Sequence, residues 1–266
     1  MPNYQVVTRK SHGAKRWLRY SGYAFAMRDA VMPLALAELA KATLSLPIGF
    51  IAQGDGFVPA AVMSLQPEKN LFVGADGRWI HGYIPAAVRG YPFRLARATD
   101  GRQVLCIDED SGIITGGPDG EAFFDDEGNP VQALRDILDF LEQTEQSRQV
   151  AAHACAILNK HQLIQHWPIS YQTENGGRKI DGLFRVDETV LNQLAADALY
   201  EVRNAGGLQI AYCQLLSMQH LPALGELTAA HAKAAAQAAA AQIAKGSGEL
   251  NLELFKKNDS ISFSGF

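Results

Sequence analysis

Residues 48–62 read IGFIAQGDGFVPAAV, and this stretch decides the fold class. Ile48 and Phe50 on one side and Phe57 to Val62 on the other enclose Gly54-Asp55-Gly56, where glycine supplies the backbone freedom of a tight turn between antiparallel strands. The pattern repeats downstream. Leu71 to Val73 and Trp79 to Ile84 flank Ala75-Asp76-Gly77, and Phe93 to Arg97 and Val104 to Ile107 flank Asp100-Gly101, so the first half reads as an antiparallel meander. Upstream, Val31, Leu34, Leu36, Leu39 and Leu44 recur at mostly helical spacing, which predicts one short helix between Asp29 and Leu46 with Pro33 in its first turn.

Helical patterning dominates the second half. Asn129-Pro130 is a start signal, since asparagine caps free amides and proline is preset for the first helical position. Leu134, Ile137, Leu138, Leu141, Val150, Ala154, Ile157 and Leu158 then keep one stripe to about Lys160, and the polar run from Gln143 to Gln149 leaves one helix or two open. Ile169 to Gln172 and Ile180 to Val186 flank Asn175-Gly176-Gly177, a further hairpin signal. Asp187 caps a helix carrying Val190, Leu191 and Leu194, and two more helices split at Gly206-Gly207 reach about Met218. Leu46-Pro47-Ile48-Gly49-Phe50 is echoed by Trp167-Pro168-Ile169-Ser170-Tyr171, a match short enough to be ordinary helix-to-strand chemistry.

From Thr228 through Lys245 alanine prevails, and Gly246 is a natural stop. The final LNLELFKKNDSISFSGF alternates apolar and polar residues and reads as a strand, a docking peptide or a disordered tail. The expected organisation is an α+β domain over residues 1–225, with a mostly antiparallel sheet packed by helices, an alanine-rich helix over 226–246 and a tail over 247–266.

Composition excludes several classes. With 47% apolar and 20% charged residues the chain of 266 residues has the makings of a sizeable core. Twenty-four basic against 28 acidic residues give a net charge of −4, so no basic field points to nucleic acid or an anionic membrane. The most apolar window, Val31 to Phe50, is broken by Pro33, Glu38, Lys41 and Pro47 and falls short of the roughly 18 uncharged residues of a membrane span. Cys106, Cys155 and Cys213 are odd in number and embedded in apolar segments, which points to a reducing, cytoplasmic location rather than a disulfide framework. MPNYQVVTRKSHGAKRW lacks the apolar stretch of a signal peptide, so export by a cleaved signal is not expected.

For chemistry, the richest segment follows the second turn. On a strand, Trp79, His81 and Tyr83 share one face. With Arg89, Tyr91 and Arg94 after Pro85 they suggest a pocket for a peptide or a small anionic ligand, because guanidinium groups grip carboxylates bidentately. Asp108, Glu109 and Asp110 follow an apolar strand without calcium-loop spacing, and Asp125, Asp126 and Glu127 precede a helix, so both clusters read as solvated junctions rather than metal sites. His153, His161 and His166 match no zinc spacing. There is no Gly-x-Ser-x-Gly, Ser111 and Ser217 lack a recognisable partner, Cys106 reads as packing, and the glycines of GGPDG are not placed for phosphate, so no cofactor is expected.

Residues 70–112, NLFVGADGRWIHGYIPAAVRGYPFRLARATDGRQVLCIDEDSG, resemble the signature region of the bacterial SapC family. SHGAKRWLR and YAFA near the start, LPIGFI with GFVPAAVMSL, and DGLFRVDETVLNQL with AYCQLLSMQ extend the resemblance over roughly Ser11 to Gln219. It implies an association with bacterial surface layers and brings no catalytic residue set. The expected role is therefore a non-catalytic accessory or binding protein of a surface-layer or nutrient-acquisition system that recognises a peptide, protein or small anionic ligand. A metal-assisted enzyme using Asp108 to Asp110 with His81 is the competing class, and a purely structural subunit the third. Leu250, Leu252 and Leu254 share one face if extended and are candidates for self-association or partner capture.

Overall fold

The computed structural model describes residues 2–173 and 176–246. The chain runs β1 (Tyr4–Val6), α1 (Arg9–His12), β2 (Arg16–Trp17), β3 (Val31–Pro33), α2 (Leu39–Ala42), β4 (Ile48–Gln53) and β5 (Gly56–Val62). It continues through α3 (Ala86–Arg89), β6 (Phe93–Arg97), β7 (Gln103–Asp108), β8 (Ile114–Thr115) and β9 (Glu121–Ala122) to the long helix α4 (Gln132–Lys160). Then come β10 (Ile164–His166), β11 (Ser170–Thr173), β12 (Gly176–Lys179), β13 (Phe184–Val186), α5 (Glu188–Asn192), α6 (Ala196–Asn204), α7 (Gly207–Ser217) and α8 (Leu221–Gly246). With 43% helix, 21% strand and antiparallel sheets, this is the α+β class that the hairpin signals called for.

The main sheet has the order β10-β13-β4-β5-β3. Its hairpin pairs Ile48 with Ala61 and closes at Gln53 with Gly56, as the turn sequence requires. Leu46, Ile48, Phe50 and Leu163 are fully buried, as is Leu158 of α4, where α4 packs on β5 and α7 on β4. Each such side chain stabilises the fold by about 1.5–3 kcal/mol relative to exposure. β13 meets β4 only at Phe184 opposite Phe50, and polar side chains of α7 fill the place where the ladder stops. Gln214 Oε1 accepts from Val186 N at 3.0 Å, its amide donates to Ile48 O at 3.3 Å, and Ser217 Oγ accepts from Ile48 N at 2.9 Å. Ser217 is thus a fully buried structural hydroxyl in the AYCQLLSMQ block.

A second core joins the sheet β1-β7-β6 to the sheet β8-β2-β9. Trp17, Phe93, Ile107, Phe123 and Leu134 are its buried centre, with Ile137 and Leu141 packed against them. Helix α4, 29 residues long, serves both cores. Leu134 lies in the second, while Ala151, Ala154, Cys155 and Leu158 are buried toward the main sheet. The polar run from Gln143 to Gln149 does not break the helix, because straight-chain Gln, Glu and Arg are good helix formers and only their apolar partners are missing between the cores. There Ser147 Oγ accepts from Ala37 N at 2.9 Å.

Three local expectations are corrected. The segment from Asp29 to Leu46 is not one helix: Val31–Pro33 forms the edge strand beside β5, where proline costs no ladder bond, and helical backbone begins only at Leu36. Leu71 to Val73 and Trp79 to Ile84 do not form a hairpin of strands, since a single bridge links Val73 to Trp79. Gly82 holds φ at +82°, and a Cβ there would sit 2.9 Å from Ser45 Oγ, so the chain turns against α2's exit instead of extending. The meander is accordingly divided among separate sheets. The other hairpins form, β6 with β7 and β11 with β12, although Asn175 of the latter's turn lies outside the described residues. The two echoed Pro-Ile segments lead into different sheets, β4 of the five-stranded sheet and the isolated β11–β12 ribbon.

Among the described residues the chain divides into two compact units, the first ending at Leu224 and the second beginning at Gly225. Helix α8 starts at Leu221, earlier than the alanine run suggests, and Leu224 is buried. From Gly225 to Ala241 most side chains are exposed. The tail over 247–266, with Leu250, Leu252 and Leu254, lies outside the described residues.

Candidate functional site

Between α4 and the segment joining α3 to β6 lies a cleft of about 450 Å³. Gly90 permits this close approach, because a Cβ there would come within 2.9 Å of Leu141 Cδ2 on α4. Five aromatic residues line the cleft: Trp17, Tyr20, Tyr91, Phe93 and Phe140. Contacts behind the surface fix them: Trp17 meets Phe93 edge-to-face at 5.1 Å, and Phe25 stacks on Tyr91 at 3.7 Å with planes 10° apart. Leu18, Ile113 and Ile137 add aliphatic area. Burial raises the phenol pKa values of Tyr20 and Tyr91, so both rings are neutral hydrogen-bonding groups at pH 7. Trp17 is 5% exposed and its indole Nε1 has no hydrogen-bond partner among the described residues.

The charged lining is sparse. Arg19 is paired to Glu121 at 2.8 Å, and Asp136 accepts from the Gln132 amide at 2.6 Å. Arg89 is held from behind: its Nε donates to Ile84 O at 3.1 Å and Nη2 to the Tyr83 hydroxyl at 2.9 Å. Its guanidinium also lies 5.0 Å from the Phe140 ring centre, within cation–π range.

The organiser of this corner is Glu38, only 4% exposed. Its Oε2 accepts from Ala35 N at 2.8 Å, and its Oε1 from Ala86 N at 2.5 Å and the Tyr83 hydroxyl at 3.2 Å. Arg89 Nη2 stands 3.7 Å from the same oxygen. One buried carboxylate therefore ties the turn before α2 to the start of α3. Burial and the nearby Glu38 charge raise the Tyr83 pKa, which keeps that hydroxyl a donor. Beyond Arg89 and Phe140 lies a second chamber of about 200 Å³, which those two residues share with the cleft.

Of the residues expected from sequence, Arg89 and Tyr91 line the cleft, and Tyr83 lines the second chamber with Arg89. Trp79, His81 and Arg94 line neither. With no strand over 79–83, the common face drawn from strand alternation does not exist. His81 is exposed and packs on Phe72 at 5.4 Å, and Arg94 lies over the Tyr4 ring at 3.5 Å. Trp79 belongs instead to an aromatic chain in which Tyr23 meets it at 5.6 Å and Tyr20 meets Tyr23 at 5.5 Å. Sequence reasoning passed over Tyr20, Phe25, Glu38 and Trp17. The YSGYAFA run of residues 20–26 and the lone acid Glu38 in an apolar stretch were the available signals.

The acidic segment is engaged in folding contacts. Asp108 is buried, and its Oδ1 accepts from Asn3 N at 2.7 Å and Asp110 N at 3.2 Å. Glu109 receives Lys15 Nζ at 3.0 Å and His12 Nε2 at 2.9 Å. Thr8 N donates to Nδ1 of the fully buried His12, which places the ring proton on Nε2, facing Glu109. His81 instead packs on Phe72, while Asp108 and Glu109 are taken up by Asn3, Asp110, Lys15 and His12. Among the described residues no three His, Cys, Asp or Glu side chains converge on a metal position. His161 pairs with Glu201 at 2.8 Å, His166 stands 3.9 Å from Asp181, and His153 is exposed on α4.

No helix among the described residues is long and apolar enough to cross a membrane. A family model described as SapC matches residues 7–224, a span that contains the cleft, Glu38 and both cores. No curated protein and no solved structure matches the chain.

Proposed function

Because this chain belongs to the SapC family, and because one amphipathic cleft lies within the matched span, we propose that it is a non-catalytic binding protein that takes a peptide or small anionic ligand there. The observation that carries this reading is the lining. Pre-positioned aromatic and aliphatic surfaces enclose the cleft, and Arg89 stands fixed at its edge, the usual division of labour in a ligand pocket between apolar area and a few orienting polar groups. No Ser, Cys, His or Lys is among its lining residues, and its two tyrosines are neutral, so the groups at hand suit binding better than nucleophilic chemistry. The surface-layer setting comes from the family resemblance, with nutrient acquisition as its alternative, and a reducing, cytoplasmic setting from the three free cysteines. Association with a second copy or a partner through residues 225–266 is part of the same proposal.

Titration of the full chain with 1-anilinonaphthalene-8-sulfonate, an apolar anion that fluoresces on leaving water, tests the site. Saturable one-site binding is expected in the wild type and is lost in Ala133→Trp, where an indole fills the cleft. Saturable binding indifferent to that substitution, or no binding in the wild type, refutes the assignment.

A further inference from the structure

Resting on the cleft reading above, we infer that the ligand extends past Arg89 into the second chamber, and that its class is an apolar or aromatic body carrying a carboxylate that Lys41 and Arg89 hold there. The two cavities share Arg89 and Phe140, so they are neighbours across one cation–π pair rather than separate sites.

Their linings differ in kind. The cleft is mostly aromatic and aliphatic, whereas the smaller chamber carries Lys41, Gln143, Thr144 and Ser147 beside Arg89 and Glu38. Two positive charges there lack a full set of partners. Lys41 is exposed and makes no hydrogen bond or ion pair among the described residues, and Arg89 engages through Nε and Nη2 while Nη1 makes no hydrogen bond. The one acid in the chamber is already committed. Glu38 accepts from two backbone amides and a phenol, and its side chain is 5% exposed, so its charge is spent on protein donors. What remains available to a ligand in this chamber is cationic and hydrogen-bonding, which selects an anionic end group. A free carboxylate can accept from Arg89 Nη1 and meet Lys41 as a point charge.

A series with one apolar body and a carboxylate at increasing reach reads this directly. The probes are dansylamide, which has no carboxylate, and dansyl-Gly, dansyl-Gly-Gly and dansyl-Gly-Gly-Gly. At least one carboxylate probe is expected to bind about fivefold or more tightly than dansylamide, a modest gain for a charge-assisted contact in a partly solvated chamber. Lys41→Gln abolishes that gain and leaves dansylamide affinity unchanged. Carboxylates that bind no better than dansylamide, or a gain that survives Lys41→Gln, overturn the inference while leaving the cleft intact. Failure of Ala133→Trp to weaken dansylamide, or no dansylamide binding at all, overturns the cleft reading and this inference with it. Asp136→Trp, at an exposed position of the cleft, replaces Ala133→Trp should the latter not fold.

Discussion

Replacing Glu38 by alanine removes the acceptor of two backbone N–H groups, those of Ala35 and Ala86, whose residues are 1% and 3% exposed. A buried donor left unpaired costs about 1–3 kcal/mol. The Tyr83 hydroxyl is half-buried and turns to water at little cost. The Arg89 pair is discounted, because at 3.7 Å with the arginine side chain 41% exposed it is worth about 0–1 kcal/mol. Relief of carboxylate desolvation offsets part of the loss. The net expectation for Glu38→Ala is a destabilisation of about 2–5 kcal/mol. A chain of this size loses roughly 2–4 °C of melting temperature per kcal/mol. Glu38→Gln keeps one oxygen acceptor but turns an amide NH₂ toward a backbone donor, and is expected at about half that loss. Urea unfolding followed by tryptophan fluorescence gives both numbers, with an unchanged m-value as the check that the same surface unfolds. Dansylamide binding should weaken in parallel, since the start of α3 and Arg89 lose their anchor. A loss under about 1 kcal/mol for Glu38→Ala refutes the reasoning by showing that the two amides find other acceptors, and a wild-type Glu38→Gln refutes it by showing that one oxygen suffices.

Partial burial pulls the Glu109 pKa up, but the hydrogen bonds and charge of Lys15, with His12, outweigh it and hold the carboxyl below the ordinary glutamate range. Its contribution is therefore present above the unfolded pKa and lost as pH falls through the folded one, so Lys15→Met should move the acid-unfolding midpoint, followed by circular dichroism, to higher pH. A midpoint that stays put or falls contradicts the pairing. Burial pushes the Cys155 thiol up to about 12 and raises that of Cys106, whereas Cys213 is half-buried with its side chain nearer solvent. A disulfide reagent at pH 8 should label Cys213 first and Cys155 only after urea is added; rapid native labelling of Cys155 would count against the packing of α4. A chain ending at Gly225 should keep nearly the full melting temperature and lose any self-association seen by sedimentation, and loss of soluble folded protein would place α8 in the core instead.

What the sequence determined by itself was local. Gly-Asp-Gly between apolar runs made the β4–β5 hairpin, and Asp187 caps α5 by accepting from Thr189 N at 2.9 Å and Val190 N at 3.2 Å. The apolar stripe of α4 was likewise readable, as was the break between α6 and α7, where Gly206 takes φ of +79°. Turn geometry, capping and helical period are settled by residues within a few positions of one another, so their signals survive in a bare sequence. Only the tertiary structure decided that α4 stays whole across two cores, that Trp79 to Tyr83 turn instead of extending, and that Glu38 joins Ala86 across 48 positions. Those outcomes depend on which distant groups arrive to bury an apolar face or satisfy a buried donor. A lone glutamate among leucines looks the same in sequence whether it meets water or two backbone amides, and here it meets the amides of Ala35 and Ala86.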